Sequence, residues 1–143
     1  MLLLWLGLAL GGDQATTKRR WSGATVEEDN VLILTDDNLP TIIHDEPVVL
    51  VMFYAPWCHH CKQMTPEFSR VATTLKTRTP PIPLAKFDCT VHTNMAEKYE
   101  VSVYPTLKLF RNGKAGDYEG PLPAAEMLEY LRALYVYRPK KKT

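Results

Sequence analysis

Cysteine is scarce in this chain, with three thiols among 143 residues. So few cannot build a disulfide scaffold, so the fold must rest on a packed hydrophobic core. Net charge is nearly absent as well. The 17 basic and 16 acidic side chains sum to +1, which leaves no field to recruit nucleic acid or an anionic membrane. Long apolar runs are also missing: the N-terminal one is too short to span a bilayer as a helix, and none follows it. There is no internal repeat. The length suits one domain with its own core and is short for two, and 45% hydrophobic residues match a soluble globular domain.

Two of the three cysteines stand together in Pro56-Trp57-Cys58-His59-His60-Cys61. Before them runs an unbroken apolar stretch, Val48 to Tyr54, and after them Phe68, Val71, Ala72 and Leu75 recur at i, i+3, i+4 and i+7. The first reads as a strand buried on both faces and the second as a helix with one buried face. A strand that turns directly into a helix places Cys58 at the helix N-terminus, where unpaired backbone N–H groups favour an anion. The thiolate is the form that attacks disulfides, so this spacing in this setting predicts a redox dithiol. A permanent staple is a poor alternative, because closing so small a loop constrains the unfolded chain little. Zinc binding is another poor fit. Two Cys and two His in four consecutive residues cannot surround one ion tetrahedrally.

The remaining chain divides into a signal at 1–11, a polar leader at 12–29, a folded domain at 30–135 and a basic tail at 136–143. Leu2 to Leu10 is apolar apart from Gly7 and is followed by small residues, the pattern of a secretory signal. The leader, ending in Glu27-Glu28-Asp29, is expected to lack structure of its own. Within the domain, Val31–Leu34 predicts a strand, and Asp36 or Asp37 is expected to cap a short helix reaching about Asp45. Pro66 falls inside the helix after the dithiol and should kink it. Pro80 to Pro83 forms a stiff connection to a strand at Leu84–Phe87, and a short helix is expected from His92 to Tyr99. Thr106–Phe110 alternates and meets Asn112-Gly113, which predicts a hairpin with its partner at Gly116–Glu119. Ala124, Met127, Leu128, Leu131 and Leu134 mark a last amphipathic helix, with Pro123 suited to its first turn. Alternation first and a hairpin last predicts an α/β fold, a mixed central sheet with helices on both faces.

Several motifs, in order and at matching separations, resemble the catalytic modules of the protein disulfide isomerase family, which have the thioredoxin fold. They are Phe53-Tyr54-Ala55-Pro56-Trp57-Cys58, Ala85-Lys86-Phe87-Asp88, Tyr104-Pro105-Thr106 and Phe110-Arg111-Asn112-Gly113. Pro80-Pro81-Ile82-Pro83 and Asp117-Tyr118-Glu119-Gly120 are similar to the isomerase that carries three such modules. The resemblance covers roughly Asn30 to Leu134. It implies a thiol–disulfide oxidoreductase or isomerase of the endoplasmic reticulum lumen, or a secreted one, standing alone or forming one module of a larger isomerase. Its partners would be unfolded clients with cysteines and a reoxidising thiol oxidase or glutathione. It would be a monomer using no cofactor beyond its dithiol.

On that resemblance Cys58, the more exposed thiol, is the nucleophile, and Cys61 resolves the mixed disulfide. An imidazole of His60 near Cys58 would stabilise its thiolate and make the oxidised form a stronger oxidant; His59, where the family usually has glycine, either adds to this or points into solvent. Trp57 offers flat apolar contact to a client, or else packs in the core. Pro105 matches the family's cis-proline, which leaves backbone groups of the preceding residue, Tyr104, free to pair with substrate. Three departures stand out. Met52 occupies the place of a buried acid that takes the proton of the second thiol, so Lys86, the match to that acid's partner, should lack a mate. Such a lysine would snorkel outward or give up its charge. The family's mobile arginine near the last hairpin is replaced, since Pro121 follows Gly120. Cys89 has no obvious cysteine partner in the following helix, and is expected to be a buried free thiol or an intermolecular link. A client-holding module with slow release and a cytosolic thioredoxin-like reductase are the two alternative readings.

Overall fold

The computed structural model describes residues 26–136. The expected signal, the leader up to residue 25 and the basic tail beyond Val136 lie outside the described residues. The elements are β1 (Val26–Glu28), β2 (Val31–Leu34), α1 (Leu39–Asp45), β3 (Val48–Tyr54), α2 (His59–Lys76), β4 (Leu84–Asp88), α3 (Asn94–Lys98), β5 (Thr106–Arg111), β6 (Lys114–Asp117) and α4 (Ala124–Val136). The six strands form one sheet in the order β1-β2-β4-β3-β5-β6. Strand β3 runs parallel to β4 and antiparallel to β5, so the sheet is mixed as its pattern predicts.

The apolar run of β3 follows from its central position: six of its seven residues are buried. Alternate side chains feed two cores. Val49, Val51 and Phe53 pack with Leu39, Ile42 and Ile43 of α1 and with Phe87 and Phe110, and the Phe53 and Phe87 rings lie 5.2 Å apart. Leu50 and Met52 face the other way, onto Phe68, Val71, Ala72 and Leu75 of α2 and Met127 and Leu131 of α4. Helix α2 continues through Pro66 to Lys76.

The N-terminal boundary differs from expectation. Val26–Glu28 is not structureless leader but an edge strand, paired antiparallel to β2 with Glu28 opposite Val31. Asp29 and Asn30 make the turn, with φ of 51° and 67°. Two successive residues in this region form the tight turn whose twist matches a hairpin, and Asp and Asn are the non-glycine residues that tolerate it best. The hairpin is tied to α2 by Ser69 Oγ donating to the Asp29 carbonyl (2.8 Å), by Asn30 Nδ2 donating to Thr73 Oγ1 (2.9 Å) and by an ion pair of Lys76 with Glu27 (2.7 Å).

Other element ends shift for identifiable reasons. The residue at the N-cap position of α1 is Asn38, with Pro40 in the first turn, rather than Asp36 or Asp37. Asp36 instead accepts the Met95 N–H at 2.9 Å, so it anchors the start of α3, which begins at Asn94 and not His92. The far end of α3 closes with Glu100 at φ 55°, the Val101 N–H donating to the Ala96 carbonyl and the Glu100 N–H to the Glu97 carbonyl. That paired arrangement stops a helix abruptly. The β5–β6 turn holds only Asn112 (φ 52°) and Gly113 (φ 82°), so β6 starts at Lys114, earlier than Gly116. Pro123 precedes α4, and its carbonyl accepts the Met127 N–H at 2.9 Å.

Truncating Phe53, which is fully buried where both central strands meet, should cost about 3–5 kcal/mol. Urea unfolding of Phe53→Ala is expected to show a lower midpoint with an unchanged slope.

Candidate active site

Strand β3 delivers the chain to Ala55, and the Cys58 N–H donates to the Ala55 carbonyl at 3.1 Å, which turns the backbone into α2. Cys58 occupies the N-cap position of that helix in extended conformation (φ −76°, ψ 117°). Its Sγ accepts the Cys61 N–H at 3.2 Å. The sulfur therefore serves the capping role usually filled by a Ser or Asp oxygen, at the positive end of an 18-residue helix. Negative charge on this sulfur is favoured by that position.

Both thiols are well covered, at 6% exposure for Cys58 and 2% for Cys61, and they pack with Ala55 under Tyr54 and Tyr104. Of the two, Cys58 is the more accessible. Burial, followed by the hydrogen bond to Cys58, pushes the Cys61 thiol up to about 11. Cys89 follows β4 as a buried free thiol, raised to about 11 by burial and then by the charge of Asp88.

The surroundings of the dithiol contain most of the residues singled out from the sequence. Trp57 is 70% exposed, so it belongs to the surface and not to the core, and its ring meets Tyr104 edge-on at 5.8 Å. The Tyr104–Pro105 bond is cis. His59 and His60 are both exposed, with ring centroids 6.0 Å apart. His60 and Pro105 also line an open cleft of about 760 Å³ that continues between α2 and the β6–α4 connection, walled by Met64, Leu107, Tyr118 and Leu122. That cleft was not foreseen, because its walls come from three elements far apart in sequence.

Lys86 corrects an expectation. It does not lack a mate: its Nζ lies 3.2 Å from Glu28 Oε1, and 5.8 Å from the centre of the Tyr54 ring. The partner comes from β1, the strand hidden in what reads as a leader. The signal available was the Asp29-Asn30 turn pair just before the apolar Val31–Leu34 stretch. Met52, in register beside Lys86, is 2% exposed and carries no acid into the core.

A helix-capping thiol with a second thiol one turn on, flanked by a cis-proline loop and an exposed tryptophan, defines a thioredoxin-fold dithiol domain. The chain belongs to the thioredoxin family: the family model described as Thioredoxin matches residues 30–133. It is 47% identical over 100 residues to protein disulfide-isomerase A4 of Homo sapiens, an alignment covering 70% of this chain and 16% of that protein. It is 46% identical over 104 residues to protein disulfide-isomerase of Drosophila melanogaster, covering 73% of this chain and 21% of the relative. Among solved structures, the first thioredoxin domain of mouse protein disulfide-isomerase A4 superposes with a TM-score of 0.72 at 36% identity, covering 92% of this chain and 96% of that one. Human ERp44 in its zinc-bound form matches at a TM-score of 0.66 and 34% identity, over 71% of this chain and 30% of that one. The chain thus spans less than a quarter of the length of these two curated relatives and nearly all of the isolated domain.

In the reduced protein, ultraviolet absorbance of thiolate should show Cys61 and Cys89 ionising only as the pH approaches about 11. Their folded values lie above the ordinary 9.0, so the unfolded chain loses these protons first. The stability they contribute is complete below about pH 9 and is lost as the pH rises toward 11. Replacing Cys89 with alanine should flatten part of that alkaline loss in a pH series of urea melts.

Proposed function

We propose that the chain is a thiol–disulfide oxidoreductase of the isomerase type, forming and rearranging disulfides in unfolded client proteins. The observation that carries this reading is the Cys58 sulfur at the N-cap of α2, accepting the Cys61 N–H beside an exposed Trp57 and a cis Pro105. Cys58 attacks a client disulfide, and Cys61, one turn along, attacks Cys58 to release the client. In the opposite direction the Cys58–Cys61 disulfide is passed to a client dithiol and later restored by a thiol oxidase or glutathione. Trp57, Tyr104 and Pro105 form the rim against which the client lies, and the adjoining cleft takes its apolar side chains. His60 stands beside the helix N-terminus, where a positive charge favours the Cys58 thiolate and so the reduced form.

The relatives' names support a site of action in the endoplasmic reticulum, and the apolar N-terminal segment fits entry into the secretory pathway. Among the described residues no helix is long and apolar enough to cross a membrane. The domain acts as a monomer.

The reduction potential of the Cys58–Cys61 couple tests the direction of chemistry. A value at or above about −180 mV, that of protein disulfide isomerase, is expected, whereas one near about −270 mV would mark a reductase. Cys58→Ser should abolish reactivation of a scrambled-disulfide substrate.

A second reading, a client-holding module, is favoured by one observation: Met52 is buried where it cannot accept a proton, while the Cys61 thiol is raised to about 11. Slow release then follows from slow deprotonation of Cys61. Single-turnover client release should be faster in Met52→Glu than in wild type, and equal rates would remove the support for the holding reading.

A further inference from the structure

Half of the proposed client rim is a short loop, residues 102–105, that hangs between α3 and β5. Before it, the Val101 N–H donates to the Ala96 carbonyl at 2.9 Å, and after it β5 begins with Thr106 in register beside Phe53. The Thr106 hydroxyl donates back to the Val103 carbonyl at 2.6 Å. Ser102 and Val103 are exposed, whereas Tyr104 is half-buried and packs inward. Its side chain meets three groups there. It packs against Ala55, Cys58 and Cys61, and the Trp57 ring meets it edge-on at 5.8 Å. Its hydroxyl hydrogen-bonds the thiol of Cys89.

Cys89 is itself firmly placed. It follows β4 directly, and its N–H donates to the Tyr54 carbonyl at 3.0 Å, one residue before Ala55. Its backbone is thereby tied to the end of the strand that delivers the dithiol. Its side chain is buried in the core cluster against which Tyr104 packs. The thiol donates to the Phe87 carbonyl at 3.8 Å, which leaves the sulfur lone pairs to the Tyr104 hydroxyl. Burial, followed by the charge of Asp88, raises this thiol to about 11. At neutral pH it is therefore a neutral hydrogen-bonding group and not a third nucleophile beside the dithiol.

We propose that Cys89 is a positioning residue for client capture: its sulfur holds the Tyr104 ring, and through it the backbone before the cis Pro105, in place against the dithiol. The inference rests on the exchange reading of the preceding subsection, in which a client lies against Trp57, Tyr104 and Pro105. Trp57, 70% exposed, touches the Tyr104 ring from the surface, and the buried Cys89 holds it from the core. The surface contact is open to a visiting chain, while the core contact is not. Without the inner hold, each binding event must also order the loop, which lowers affinity. The Cys58 sulfur is not affected, because its state derives from its place at the N-cap of α2.

The test is steady-state exchange of the whole chain with a disulfide-bonded peptide, with glutathione as reductant, read as a KM-against-kcat split. Cys89→Ala should raise KM about fivefold, the weight of one ordinary hydrogen bond, and leave kcat nearly unchanged. Its reaction with hydroxyethyl disulfide, which has no backbone to lie along the loop, should match that of wild type. Cys89→Ser keeps the size and both hydrogen-bonding roles and should restore KM. Tyr104→Phe keeps the ring without the hydroxyl and should reproduce the rise, and the double variant should be no worse than either single one. In NMR spectra the Trp57 indole N–H signal should move in Cys89→Ala and return in Cys89→Ser, a readout that needs no turnover. A KM rise below about twofold in Cys89→Ala overturns the proposal, as does a serine variant as weak as the alanine one or additive losses in the double variant. An unmoved Trp57 signal in Cys89→Ala overturns the hold on Tyr104 alone. Failure of the wild type to exchange with either disulfide would overturn the exchange reading itself, and this inference with it.

Discussion

The reactive end of the molecule depends on one hydrogen bond, from the Cys61 N–H to the Cys58 sulfur. A helix cannot start without satisfying its first N–H groups, and here a thiol fills that need where a hydroxyl or carboxylate usually stands. One contact therefore does two jobs. It begins an 18-residue helix, and it keeps a sulfur at the end that favours negative charge. Strand β3 makes this possible by being rigid: buried on both faces and paired on both sides, it delivers Ala55 to the same point every time.

The two thiols differ through their surroundings and not through their chemistry. Cys58 precedes the helix and caps it; Cys61 lies within the first turn, covered by Tyr54 and Tyr104, and burial holds its proton. In the proposed exchange this difference sets the order, with the accessible sulfur acting first and the covered one only once the mixed disulfide forms beside it. The cost of this order is a proton that must leave a nearly dry site. Beside Lys86 the core holds a methionine, and the carboxylate that Lys86 meets comes from the sheet edge instead.

Much of this was readable from the residues. The strand at Val48–Tyr54, the dithiol at a helix start, the last hairpin at Asn112-Gly113 and the final amphipathic helix each rest on local signals such as apolar period, a turn pair or a cap. What stayed hidden depends on long-range pairing. Three charged or exposed residues, Val26–Glu28, hold no apolar pattern, and they form a strand only because β2 offers an open edge and α2 anchors their turn. Lys86 consequently looked unpaired, since its carboxylate sits 58 residues away in sequence. Asp36 was legible as a helix cap but not as the cap of a different helix, because α3 reaches it only in the folded sheet.

The short β1 has one more consequence. A sheet that ends in bare backbone invites any extended chain to add itself as another strand, and the proposed clients are unfolded polypeptides. Both outer strands are brief, three and four residues, and both expose charged side chains, Glu27 and Glu28 on one side and Lys114 and Asp117 on the other. Such borders discourage backbone annexation. In the proposed function they would confine a visiting chain to the sulfur and the rim around it, so that the visitor can leave when its covalent bond is cut.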